Sequence, residues 1–160
     1  MRNFINLMES VTPTLYHGSR KNFPIGFVLK PQSDGYVTGS GAGEEEIERE
    51  AHFLCEEIIE RHRPAGAPNR RNSVFMVATP SEIDYAGGYD DYVYAVIPEG
   101  PVWKANLHWY SQLYLECFDE PDETTVEKLA QAYWNAEPSG DQTLFEYLCA
   151  SATVTEKVIW

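Results

Sequence analysis

Cysteine is scarce in this chain: Cys55, Cys117 and Cys149 are far apart and odd in number. That excludes a disulfide framework and a close-spaced zinc knuckle, so buried or idle thiols are expected. Histidine is nearly as rare. His52 and His62 lack the carboxylate spacing of a helical zinc site, and no metal is expected. Positive charge is also short, with 12 Lys and Arg against 25 Asp and Glu and a formal charge of -13. Such a field repels phosphates and anionic membrane surfaces, which disfavours nucleic acid as a bulk ligand. No apolar run is long enough to span a membrane. The opening MRNFINLMES has neither the apolar core nor the cleavage site of a signal peptide, so a cytoplasmic location is expected.

What is present is enough to fold. With 43% hydrophobic and 13% aromatic residues, 160 residues fit one domain spanning 1–160 around a single core. Residues 3–10 pattern as a short amphipathic helix through Phe4, Ile5 and Met8, ended by Pro13. A strand over 14–17 runs into Gly18-Ser19, and 26–31 reads as extended. The Gly- and Ser-rich stretch 32–43 reads as a mobile loop and an active-site flap; its Gly39-Ser40-Gly41-Ala42-Gly43 lacks the ending of a phosphate cradle. Residues 44–63 form an amphipathic helix through Ile47, Ala51, Leu54, Cys55, Ile58 and Ile59, its acidic face read as solvated. Further strands are expected over 73–77, 91–98, 102–103, 145–149 and 153–160. A turn or short helix falls at 79–83, a helical turn at 108–115, and a helix at 123–135 capped by Thr124 or Thr125. Strands outnumber helices and lie too close together for crossovers, which implies an α+β fold with a largely antiparallel core.

One segment, Leu15-Tyr16-His17-Gly18-Ser19, resembles the first motif of ADP-ribosyltransferases of the histidine-containing, rifamycin-transferase-like branch. Three more features follow in that family's order: Arg70-Arg71-Asn72-Ser73-Val74-Phe75-Met76, the strand from Tyr92 to Pro98 with its Glu99-Gly100-Pro101 exit, and Tyr133-Trp134-Asn135 followed by Phe145-Glu146-Tyr147-Leu148. The resemblance covers Leu15 to Ile159. It implies a split, largely antiparallel sheet core with flanking helices, and NAD⁺ as a substrate. His17 would bond the adenosine ribose, with Tyr16 and Ser19 beside it, while the Gly18 backbone would reach the nicotinamide carboxamide. Phe75, together with Tyr85 or Tyr89, would stack on the nicotinamide, and Arg20 or Arg71 would meet the pyrophosphate. Because the chain is so acidic, that anion needs local help from Arg20, Lys21, Arg70 or Arg71.

Glycosidic cleavage of NAD⁺ passes through an oxocarbenium-like state, and a carboxylate beside the anomeric carbon stabilises it. The resemblance gives that role to Glu146. Leu144 stands where arginine-modifying relatives carry a second glutamate, which disfavours arginine as the acceptor, and Phe75 stands where tyrosine is usual. The expected activity is mono-ADP-ribosyl transfer, a glycosyltransferase reaction, to an acceptor that is most readily a host or cellular protein, as for a bacterial or phage accessory protein. Three alternatives stay open: an NAD glycohydrolase, an NAD-like nucleotide binder without turnover, and a non-catalytic acidic protein covering a basic partner surface.

Overall fold

The computed structural model describes residues 4–5, 14–33 and 45–158. In chain order it contains β1 (Phe4–Ile5), β2 (Leu15–Ser19), β3 (Val28–Leu29), α1 (Glu46–Arg61), β4 (Val74–Met76), α2 (Glu82–Tyr85), β5 (Tyr92–Glu99), β6 (Val102–Asn106), α3 (Leu107–Glu116), α4 (Glu123–Trp134), β7 (Phe145–Cys149) and β8 (Ser151–Val158). Single turns of 3-10 helix precede β4, at Arg70–Asn72, and β7, at Gly140–Gln142. The fold is α+β, as the short spacing between strands implies.

Its strands form two antiparallel sheets, ordered β1-β6-β7-β4 and β2-β5-β8-β3. The chain passes between them through very short links. Gly100, at φ 78°, and Pro101 carry β5 into β6, and Ala150 alone separates β7 from β8. A positive φ suits glycine at the first of these links because it has no Cβ to clash.

Alternation along the strands sorts side chains into two cores. Val74, Met76, Val102 and Cys149 turn toward the second sheet and pack with Leu15, Leu29, Tyr94, Val96 and Val154. On the opposite face, Trp103, Ala105 and Leu148 meet Ile58, Ile59, Leu113, Val126, Ala130, Tyr133 and Trp134 from α1, α3 and α4. The order of layers is therefore helices, first sheet, second sheet. Two indole N–H groups tie the helical layer down: Trp134 donates to the Ile59 carbonyl at 2.8 Å and Trp103 to the Trp134 carbonyl at 3.0 Å. Burying such rings without these partners would leave a costly unpaired donor.

Several local expectations change. Phe4–Ile5, expected in a helix over 3–10, is a strand paired with Val102 and Trp103 of β6; the rest of that segment lies outside the described residues. Its apolar spacing serves either period over so short a stretch. Extended structure in 26–31 shrinks to Val28–Leu29, since Gly26 turns at φ 91°. The 108–115 turn is a full helix, α3. The α4 cap is Asp122 rather than Thr124 or Thr125: its carboxylate accepts the Thr125 N–H at 2.9 Å and hydroxyl at 3.0 Å, which holds its pKa below the ordinary value. Ile47, placed on the apolar stripe of α1, is exposed. The loop read as a flap lies outside the described residues beyond Ser33. Among the described residues, no helix is long and apolar enough to cross a membrane.

Candidate functional site

The two sheets meet where β2 approaches β4, and there the ladder stops after one rung. Tyr16 and Val77 exchange both backbone hydrogen bonds at 2.9 Å. Continuing that antiparallel register would pair Gly18 with Phe75. Instead, the Phe75 carbonyl accepts a hydrogen bond from His17 Nδ1 at 2.8 Å, and the strands part. Backbone groups alternate edges along a strand, so the N–H and C=O of Gly18 point to the same edge as those of Tyr16, toward the opening. Because a carbonyl only accepts, His17 carries its proton on Nδ1, and in the neutral ring the acceptor is Nε2.

Beyond the break lies an open cleft. Tyr16, His17, Gly18, Arg70, Phe75, Tyr89 and Glu146 are among its walls, with Ile83 and the Ala86-Gly87-Gly88 turn closing one side. Gly18 is required by what lies behind it. A Cβ there would sit 2.2 Å from the Tyr89 carbonyl oxygen and 2.5 Å from Ile83 Cγ2, so the Tyr89 segment can approach only glycine.

At the floor of the cleft is a buried ionic cluster. Glu146, on β7, is 4% exposed; Arg70, in the turn before β4, 7%; and Glu56, on α1, 5%. Arg70 Nε donates to both Glu56 oxygens, at 3.3 and 3.1 Å, while its Nη1 donates to Glu146 Oε2 and to the Tyr133 hydroxyl. The Tyr133 hydroxyl donates to Glu146 Oε2 at 2.5 Å, and Tyr110 donates to Glu56 Oε2 at 2.6 Å. The guanidinium also lies over the Phe75 ring, 4.8 Å from its centroid, and the Tyr110 ring, at 4.6 Å. Burial works against the charge of Arg70, yet Glu146 and then Glu56 hold its pKa well above the ordinary value. Burial likewise lifts both phenols, reinforced at Tyr110 by Glu56 and at Tyr133 by Glu146 against Arg70.

Two features of the cluster matter chemically. It holds two carboxylates against one guanidinium, a formal excess of one negative charge on nearly buried side chains. And both bonds to Glu146 converge on Oε2, leaving Oε1 without a hydrogen-bond partner among the described residues.

Of the residues singled out in the sequence, Tyr16, His17, Gly18, Phe75 and Glu146 come together from three strands and two sheets. Others do not. Ser19 is buried in the sheet, where its hydroxyl accepts the Lys21 N–H at 2.9 Å. Arg71 is exposed, and its carbonyl accepts from Gln32 rather than facing the cleft. Tyr85 is 81% exposed, since α2 turns it outward; Tyr89 takes the wall position instead. Arg20 reaches the rim only by stacking on Tyr89, 4.0 Å from the ring centroid. Arg70 is not a free cation for a pyrophosphate, being committed to two carboxylates. Glu56 was hidden within an acidic run read as solvent-facing; its place beside Cys55 and three residues before Ile59, on the flank of the apolar stripe, is the signal that marks it.

No protein-family model matches this chain, and a search of curated proteins finds no match either.

Proposed function

We propose that this cleft binds NAD⁺ and breaks its nicotinamide–ribose bond, transferring ADP-ribose to an acceptor, most readily a protein side chain. With water as acceptor, the same site is an NAD glycohydrolase. The observation that carries the reading is Oε1 of buried Glu146, unengaged among the described residues, in one cleft with His17 and the outward-facing backbone of Gly18.

A primary carboxamide offers a carbonyl and an N–H side by side, the complement of a strand edge such as that of Gly18. Seated there, nicotinamide lies against Phe75 or Tyr89, whose ring faces suit its positive charge. When the glycosidic bond breaks, its electron pair leaves with the ring nitrogen, which becomes neutral, and the positive charge moves to the ribose. Glu146 Oε1 accepts the 2′-hydroxyl and opposes that charge. The excess negative charge of the cluster is then balanced in the transition state. At about 4 Å and an effective dielectric of about 20 the attraction is about 4 kcal/mol, a rate factor on the order of 10³. The acceptor attacks the same carbon and gives up its proton to water. His17, its ring fixed by Phe75, bonds the ribose of the adenosine half.

The test is incubation with NAD⁺, with and without cell lysate, following nicotinamide release and labelled ADP-ribose. Glu146→Gln keeps shape and removes charge, and should lower release on the order of 10³-fold. If wild type and Glu146→Gln release nicotinamide equally, the reading is wrong, and a non-catalytic acidic binding protein takes its place.

A further inference from the structure

Glu56 does not line the cleft, yet it takes the inner edge of the same guanidinium that holds Glu146. An unopposed arginine beside a carboxylate favours the bidentate arrangement, two N–H groups on two oxygens. In this protein Arg70 Nε is instead engaged by both oxygens of Glu56, and Glu56 is held in turn by the Tyr110 hydroxyl at 2.6 Å. Held by Nε in that orientation, the guanidinium presents only Nη1 to Glu146, where it meets Tyr133 on Oε2, and Nη2 bonds neither carboxylate among the described residues.

Resting on the proposed NAD⁺ cleavage, we infer that Glu56 is a positioning residue: by anchoring Arg70 from α1, it keeps the guanidinium from closing on both oxygens of Glu146 and reserves Oε1 for the substrate. Its second effect is electrostatic. Glu56 shares the arginine's charge, so the cluster retains the excess negative charge that opposes a cationic transition state. Without Glu56 the pair Arg70–Glu146 is neutral, and neither the geometry nor the charge favours the reaction. The helical layer thereby sets the reactivity of a residue on the sheet. Glu56 and Tyr110 act through Arg70 and touch no reacting atom.

This assignment predicts a change in turnover more than in substrate binding, because the nicotinamide seat on Gly18 and the rings around it are untouched. The experiment is steady-state nicotinamide release by the full chain, comparing wild type, Glu146→Gln, Glu56→Gln and Tyr110→Phe, with folding checked by circular dichroism. Glu56→Gln should lower kcat about 10-fold to 100-fold with KM within about two-fold. Tyr110→Phe, which keeps the charge but removes one of the two bonds on Glu56 Oε2, should give a smaller loss of the same kind, and it carries the test if Glu56→Gln does not fold. A crystal structure of Glu56→Gln should show Arg70 on both oxygens of Glu146. Wild-type release equal to that of Glu146→Gln defeats the NAD⁺ reading and this inference together. Release that depends on Glu146 but is unchanged in folded Glu56→Gln, or altered only in KM, overturns the inference and leaves the NAD⁺ reading intact.

Discussion

Replacing Arg70 by methionine is the sharpest probe of the buried cluster. The substitution keeps much of the side-chain volume but leaves Glu56 and Glu146, both almost fully buried, with no cation between them. Removing one partner of a buried ion pair costs about 3–5 kcal/mol, because a desolvated charge remains uncompensated. Here two carboxylates lose one shared partner, so the upper half of that range is expected, a large share of a total stability of about 5–15 kcal/mol. For a chain of this size each kcal/mol moves Tm by about 2–4 °C, giving a fall of about 8–20 °C in thermal unfolding followed by circular dichroism. Replacing all three charged members with apolar residues, Arg70→Met with Glu56→Leu and Glu146→Met, should recover part of the stability, as no buried charge is left while the Tyr110 and Tyr133 hydroxyls lose their partners. A single-variant loss under about 1 kcal/mol, or a triple variant no better than the single, would refute the picture of a dry, mutually dependent cluster.

Other consequences are simpler to read. Gly18→Ala should cost about 1–3 kcal/mol by overpacking against the Tyr89 carbonyl and Ile83, and should weaken ligand binding as the Tyr89 segment shifts; urea unfolding and calorimetry check both. Burial raises the pKa of Tyr110 and Tyr133, so a tyrosinate absorbance titration should leave these two un-ionised at pH values where exposed phenols have titrated. Their folded pKa lies above the unfolded value, so the stabilisation is complete below pH of about 10 and is lost as pH rises beyond it. Ionisation of all ten tyrosines near pH 10 without unfolding would contradict the burial of this pair. Asp122→Ala should lower Tm by fraying the first turn of α4, and the same loss should set in for wild type on acidification, because the depressed carboxylate pKa stabilises only above its unfolded value.

The sequence by itself determined the local elements whose signal is periodic and long enough to be unambiguous. The unbroken apolar run in 92–97, mostly aromatic and β-branched, and the three- and four-residue spacing in 46–61 and 123–134 each give one answer, and the short gaps between strands imply antiparallel pairing. Tyr16, His17, Gly18, Phe75 and Glu146 were also legible, because each sits at a strand position where a resemblance in order and spacing could be followed. What the sequence left undecided was everything that depends on which backbone edge meets which. That Phe75 yields its carbonyl to His17, so that Gly18 faces an opening, follows from two strands parting after one rung, and no local pattern encodes it. The choice of Arg70 over Arg71 turns on a single residue's orientation in a 3-10 turn. Glu56 shows the limit most clearly: composition assigns a glutamate in an acidic helix to solvent, and only the tertiary placement of Arg70 between α1 and β7 supplies the opposite charge that makes its burial stable.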